Sequence, residues 1–153
     1  MNKDIDYIKK TRQFLLNTIN DLSVDQLNEI PAGFNNNIIW NLAHLVAAQQ
    51  GICYMRAGAP ITVEEKYFTE YKPGTKPGEY MDATEVQKIK DLMLLTLDRL
   101  TSDHETNVFD NYPAWTTRTG PELSSVDDAL AFILYHEGLH TGAIMDLKKM
   151  VSK

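Results

Sequence analysis

The fold is decided by a stretch that is apolar on nearly every side, Ile38-Ile39-Trp40-Asn41-Leu42-Ala43-His44-Leu45-Val46-Ala47-Ala48. A helix with apolar side chains around most of its circumference is usually buried between other helices. The preceding Asn35-Asn36-Asn37 supplies an N-cap, because an asparagine oxygen accepts an orphan backbone N–H at a helix start. We therefore predict a buried helix over Ile38–Met55, which Arg56-Ala57-Gly58 ends.

Three further segments have a helical spacing of apolar residues. The first runs over Lys3–Leu22, and a single short turn follows from Ser23, where Ser-x-x-Gln matches a capping box. The third helix of the chain begins at the N-cap Asp82 and continues through Leu100. The fourth helix runs from the N-cap Ser125 to about Met150. The apolar face of the first helix is predicted to contain Ile5, Ile8, Phe14, Leu15, Ile19 and Leu22.

Two long connections, Gly58–Met81 and Thr101–Leu123, separate these helices. Long connections inside a compact domain are usually crossovers or functional loops. No segment has the two-residue period of a strand. The chain of 153 residues is therefore predicted to form one all-α domain over residues 1–153, a four-helix bundle with long crossover connections.

Charge and composition exclude several classes of function. The net charge of −6 argues against a nucleic-acid partner, because phosphate binding needs a basic surface. No apolar run is long enough to span a membrane, and Met1–Asp6 contains two acids and does not resemble a signal peptide. Cys53 is the single cysteine, so we expect a small buried side chain and a reducing, cytoplasmic location.

The histidines carry the functional signal. His136 and His140 are four residues apart on the fourth predicted helix, so they face the same side one turn apart and can bind one metal together. His44 lies inside the apolar stretch, where a buried imidazole needs a partner. If these three residues meet, three imidazoles leave an open coordination position, as in catalytic zinc sites, and they also suit nickel, copper or iron. The alternative is a core histidine beside two polar residues on a partly wet helix.

The segment His136-Glu137-Gly138-Leu139-His140 also matches the HExxH pattern of zinc peptidases, in which the glutamate is the general base. We rank a peptidase below the bundle interpretation. Few residues follow His140 to supply a third ligand, Ala143 stands where metzincin-type motifs have glycine, and no edge strand is predicted to bind a peptide. Glu137 is therefore a candidate base in a bundle, with a solvated or supporting carboxylate as the alternative.

Three other residues are less informative. His104 lies in a charged segment and is predicted to be on the surface. Trp115, in the second long connection, either covers a pocket or packs the connection onto the bundle, and packing is favoured. Trp40 lies one turn before His44, so it either walls the same pocket or fills the core, and core packing is again favoured.

These features together resemble the DinB-like family, also described as DinB/YfiT-like metal-dependent proteins. The matching motifs are Ile39-Trp40-Asn41-Leu42-Ala43-His44-Leu45 and His136-Glu137-Gly138-Leu139-His140-Thr141-Gly142-Ala143-Ile144. The resemblance implies a four-helix bundle with a long crossover, a zinc or nickel ion held by His44, His136 and His140, and a homodimer. Many members have a basic residue and a glutamine where this chain has Thr141 and Ala143. That departure leaves the predicted metal site intact but does not carry over a particular substrate.

Two main functions follow from these observations. The first is a metal-dependent enzyme that activates a small thiol or water, as some relatives are thiol-dependent transferases or isomerases, with Glu137 as a possible base. The second is a non-catalytic metal-binding or stress-response module. For the enzyme, the expected partner is a small-molecule substrate, and a low-molecular-weight thiol is one candidate.

Overall fold

The computed structural model describes residues 2–153, and most of them are helical. Four long helices form the body of the protein, and two short helices lie in the connections. A π-helix over Gln50–Met55 continues the third helix directly. In chain order the α-helices are α1 (Lys3–Thr18), α2 (Val24–Asn28), α3 (Ile38–Gln49), α4 (Lys66–Thr69), α5 (Ala83–Glu105) and α6 (Val126–Val151). The all-α prediction is confirmed.

The predicted N-caps are confirmed at four helices. The side chains of Asn37, Asp82 and Ser125 each accept a backbone N–H of the first turn that follows. Ser23 and Gln26 form the reciprocal capping box that starts α2. At α1, the cap is Asn2, whose side chain accepts the N–H groups of the next helical turn. These polar side chains fix where the helices begin.

Some boundaries differ from the prediction. Helix α1 ends at Thr18 rather than Leu22, while α5 continues to Glu105, beyond the predicted Leu100. Two short strands, β1 (Trp115–Thr116) and β2 (Glu122–Leu123), pair antiparallel inside the second long connection, where no strand was predicted. Trp115 lies opposite Leu123 in this pair. A strand of two residues is too short to show an alternating pattern.

The order in which the helices pass through the core gives the topology. The buried apolar residues form two main clusters, one containing Leu15, Ile39, Ile89 and Ile144, the other Ile5, Cys53, Leu100 and Ile133. Helices α3 and α5 run from the first cluster to the second, and α1 and α6 run the opposite way. Because α3 and α5 are packed and parallel, the chain must return along the bundle between them. Residues 56–82, called the crossover below, make this return, which Gly58 opens with a positive φ of 71°.

A layer of buried polar side chains separates the two clusters. Each of the four long helices contributes one member, and the layer consists of Arg12, Gln49, Thr96 and Glu137. Arg12 and Glu137 are fully buried and form an ion pair with 2.7 Å between Nη2 and Oε1. The bundle core is therefore apolar at both ends and polar in the middle.

The predicted apolar face of α1 is wrong at one position. Phe14 is 51% exposed, whereas Arg12 lies fully buried between Ile8 and Leu15. Positions 5, 8, 12, 15 and 19 are spaced by three and four residues, so they form one stripe along the helix. The charge of Arg12 conceals its place in that stripe, and the aromatic ring of Phe14 suggests a burial that the helix geometry does not allow.

Within residues 2–153, every helix is either too short or too polar to cross a lipid bilayer.

Candidate metal centre

Helices α3 and α6 pack against each other and bring three histidines together. His44 comes from the middle of α3, and His136 and His140 come from successive turns of α6. The ring centroids of the three pairs are 4.5–5.2 Å apart. One nitrogen from each ring can be chosen so that all three lie within 4.8 Å of one another. The predicted meeting of His44 with the His136–His140 pair is therefore confirmed, and the triad could hold a divalent metal.

The spacing of two nitrogens fits a shared metal ion. Nε2 of His44 and Nε2 of His136 are 3.3 Å apart. Two imidazole nitrogens at the usual zinc distance and tetrahedral angle are separated by about 3.3 Å. The arrangement therefore matches the donor spacing of a tetrahedral site without any movement of these two rings.

His44 is held on two sides. Its Nδ1 lies 2.7 Å from the backbone oxygen of Tyr71, which belongs to the crossover. A carbonyl oxygen only accepts, so Nδ1 carries the proton and Nε2 presents a lone pair to the other histidines. The indole of Trp40 stacks on the imidazole with 4.7 Å between centroids and 11° between planes. Trp40 is thus both a core residue and a wall of the site.

The two histidines of α6 have different surroundings. Nδ1 of His140 lies 2.8 Å from Oδ1 of Asn41, a buried side chain of α3. Nδ1 of His136 is buried and has no hydrogen-bond partner among residues 2–153. Two of the three imidazoles therefore have a fixed second contact, as metal-ligating histidines usually do.

The electrostatics keep the three imidazoles neutral near pH 7. Burial, and then the positive charges that the other two histidines and Arg12 can carry, lowers the pKa of His136 to about 3. Burial and the neighbouring His44 lower the pKa of His140 to about 4. Burial also lowers the pKa of His44, and the hydrogen bond to Tyr71 opposes this shift. Neutral imidazole is the form that binds a metal, so no proton has to leave first.

A comparison with protein families agrees with this geometry. The model of the DinB superfamily matches residues 7–144. The chain belongs to the DinB superfamily. No curated protein matches the sequence significantly. The matched range includes all three histidines of the triad, so the predicted resemblance to the DinB-like family is confirmed.

Glu137 of this DinB-superfamily chain does not point into solvent. Its carboxylate is fully buried, and Oε1 accepts hydrogen bonds from Nε of Arg12 at 3.0 Å and from Nη2 at 2.7 Å. Oε2 is buried without a partner among residues 2–153. The solvated alternative for Glu137 is therefore wrong, and its observed partner is the guanidinium in the polar layer.

The remaining predicted residues lie outside the triad. His104 is in the last turn of α5, partly exposed, with Nε2 2.9 Å from Oδ1 of Asp127. Trp115 packs the second long connection onto the bundle: its Nε1–H donates to the hydroxyl of Tyr112, and Arg56 lies 3.8 Å from its ring centroid. Cys53 is a free, fully buried thiol, as predicted.

Sequence reasoning missed the residues that support the ligands. Asn41 lies three residues before His44, and an asparagine inside an apolar helix is a signal that could have found it. Arg12 could have been found from its place in the apolar stripe of α1. The contact to Tyr71 uses a backbone oxygen, so this member of the DinB superfamily carries no sequence signal for it.

Proposed function

We propose that this protein is a metal-dependent enzyme whose substrate is a small molecule. His44, His136 and His140 would hold a zinc or nickel ion, which imidazole ligands suit. The observation that carries the proposal is the convergence of three imidazoles: one nitrogen from each lies within 4.8 Å of the other two, and the 3.3 Å between Nε2 of His44 and Nε2 of His136 fits a tetrahedral site. Three protein ligands leave a coordination position open for a substrate or water, which is typical of catalytic rather than structural sites.

The chemistry we propose is activation of a low-molecular-weight thiol or of water. When bound, the metal would lower the pKa of either one and so provide a nucleophile near pH 7. The single cysteine cannot be that nucleophile, because Cys53 is buried and its burial raises the pKa of the thiol to about 12. A reacting thiol must therefore come from a second molecule.

The chain's own residues would orient the reactants and hold protons. Trp40 fixes the plane of His44, and the backbone of Tyr71 fixes its tautomer. We retain Glu137 as the proposed base, and Oε2 is the atom that would take the proton, since Oε1 is occupied by Arg12. A Glu137→Gln variant that keeps its metal and its turnover would exclude this role.

Metal content tests the binding half of the proposal. Elemental analysis of the purified protein, reloaded with zinc or nickel, is expected to give one metal ion per chain. His44→Ala and His136→Ala should each lose most of it. His104→Ala is the matched control, because His104 lies outside the triad, and it should bind like the parent. A parent chain that takes up no metal would overturn the proposal.

Turnover tests the catalytic half. A panel of electrophiles is offered with a small thiol, or with water alone, to the metal-loaded and metal-free protein. We expect turnover that requires metal and is absent from His136→Ala. Metal binding without turnover of any electrophile would favour the non-catalytic metal-binding module instead.

We also propose that the protein is a homodimer, as the family resemblance implies. Tyr135 and Leu139 support an association surface, because they are 52% and 54% exposed and lie one turn apart on α6. Light scattering after size exclusion should give twice the mass of one chain. A monomer at micromolar concentration would contradict this part of the proposal.

A further inference from the structure

We infer that Asn41 positions His140 for metal binding by fixing which ring nitrogen carries the proton. This inference rests on the proposed function, because His140 is one of the proposed ligands. Asn41 lies on α3, about one turn before His44, and only 1% of its surface is exposed. A buried amide must satisfy its donors and its acceptor within the protein, so its hydrogen bonds define its orientation.

The orientation of the Asn41 amide is set by a backbone carbonyl. Nδ2 donates to the backbone oxygen of Asn37 at 2.7 Å and to Oδ1 of Asn36 at 3.0 Å. A backbone oxygen only accepts. Turning the amide by half a rotation would place Oδ1 against that oxygen and leave two acceptors in contact. Oδ1 of Asn41 must therefore point away from Asn37.

The side-chain oxygen of Asn41 contacts His140. Oδ1 of Asn41 lies 2.8 Å from Nδ1 of His140, and an amide oxygen cannot donate. The hydrogen bond therefore requires the proton of neutral His140 on Nδ1, which leaves the lone pair on Nε2. Without an acceptor at Nδ1, the ring would be free to place its proton on Nε2, and that form cannot bind a metal through Nε2.

The other two histidines of the triad have no such side-chain support. Nδ1 of His44 is held by a backbone oxygen, and Nδ1 of His136 has no partner among residues 2–153. Among residues 2–153, Asn41 is therefore the side chain whose substitution can change which ring nitrogen of a proposed ligand carries the proton. The asparagines before α3 act in sequence: Asn36 and Asn37 orient Asn41, and Asn41 orients His140.

The first test is made without metal. Long-range ¹⁵N–¹H spectra of the metal-free parent, assigned against His140→Ala, should show the Nδ1–H tautomer at His140. Asn41→Leu should shift His140 toward a mixture of the two tautomers. Asn41→Asp should keep the Nδ1–H form, because a carboxylate oxygen still accepts. An Nε2–H tautomer at His140 in the parent would overturn the inference, and this outcome does not depend on how Asn41→Leu folds.

The second test is zinc affinity, measured by competition with a chelator. Asn41→Leu should bind zinc about 10- to 100-fold more weakly than the parent, the usual effect of removing a partner of a ligating histidine. Asn28→Leu is the matched control, since that partly buried amide bonds to the backbone of Val24 and Met81 and not to a histidine, and it should bind zinc like the parent. Equal affinity of Asn41→Leu and the parent would overturn the inference, whereas a parent that binds no zinc would overturn the proposed function.

Discussion

Arg12 connects all four long helices through one guanidinium. It donates to Glu137 of α6, to the backbone oxygen of Leu45 and the amide of Gln49 on α3, and to Thr96 and the backbone of Met93 on α5. A buried charge is tolerated only when it is paired and hydrogen-bonded in this way. The bonds of Arg12 to three other helices fix how those helices sit relative to α1.

Arg12→Met should destabilise the protein by about 3–5 kcal/mol, because the buried carboxylate of Glu137 would lose its counter-charge. Urea unfolding followed by circular dichroism measures the loss. Lys10→Met is the control, since Lys10 is exposed and pairs with Asp6 at the surface. The double variant Arg12→Met with Glu137→Leu should lose less than Arg12→Met alone. An Arg12→Met protein as stable as the parent would contradict the assigned role.

Cys53 should be unreactive in the native protein. Burial raises the pKa of its thiol to about 12, so almost no thiolate exists at pH 8, and the side chain is 0% exposed. A chromogenic disulfide reagent should label less than a tenth of the native chain in the time that it labels all of the denatured chain. Full labelling at pH 8 without denaturant would show that the thiol is accessible.

At the residue scale, functional residues that form a recognisable sequence pattern could be predicted. Three histidines in a suggestive pattern identified the site, and the structure brings them together. Arg12 was missed because a charged residue is ordinarily assigned to the surface, although its spacing placed it in the apolar stripe. The backbone oxygen of Tyr71 could not be predicted, because every residue has one.

The helix starts are defined by single polar side chains. Ser125 caps α6, where its oxygen accepts the backbone N–H of Asp128 at 3.1 Å. Ser125→Ala should therefore cost about 1 kcal/mol of unfolding free energy. Ser102→Ala, at an exposed position inside α5, is the matched control and should change stability by less than about 0.5 kcal/mol.

Measuring the metal affinity of Ser125→Ala shows whether the substitution affects only the stability of the protein or also the histidine triad. Ser125 lies three turns before His136, so Ser125→Ala should bind zinc like the parent. Chelator competition measures the affinity, and urea unfolding of the same preparations measures the stability. A Ser125→Ala protein with unchanged stability would show that the cap contributes nothing to α6.

At the element scale, helix starts were predictable and helix ends were not. Asn37, Asp82 and Ser125 gave the starts, because a cap depends on one residue and its immediate neighbours. The end of α5 depends on distant contacts: Asp103 is buried and accepts a hydrogen bond from the hydroxyl of Tyr54 at 2.8 Å. Such contacts carry no local signal, and neither does the π-helix that follows α3.

Across the whole molecule, the histidine triad and the crossover are linked by a hydrogen bond. The crossover returns the chain between two parallel helices, and the backbone oxygen of Tyr71 accepts a hydrogen bond from Nδ1–H of His44. A metal on the opposite nitrogen makes that N–H a stronger donor. Metal binding is therefore expected to tighten the crossover as well as the triad.

Hydrogen–deuterium exchange can detect this coupling. Saturating zinc should slow exchange at backbone amides of the crossover, residues 56–82, in peptides resolved by mass spectrometry. Peptides near the start of α1 report the background and should not change. His44→Ala should show no zinc-dependent protection of the crossover. Equal exchange with and without zinc in a parent that binds it would contradict the coupling.

The bundle as a whole followed from the sequence because four helical patterns and two long connections admit few arrangements. The division of the core into two apolar clusters and a polar layer did not follow from the sequence. Arg12, Gln49, Thr96 and Glu137 are distant in the chain, and only the folded packing of the helices places them in one layer.

The main-chain contact between Tyr71 and His44 has an evolutionary consequence. Since the acceptor is a peptide oxygen, position 71 can change to almost any amino acid and still hold the imidazole. The crossover can therefore diversify its side chains while His44 keeps its orientation. An insertion or deletion in this segment would be far less tolerated, because it would displace the oxygen itself.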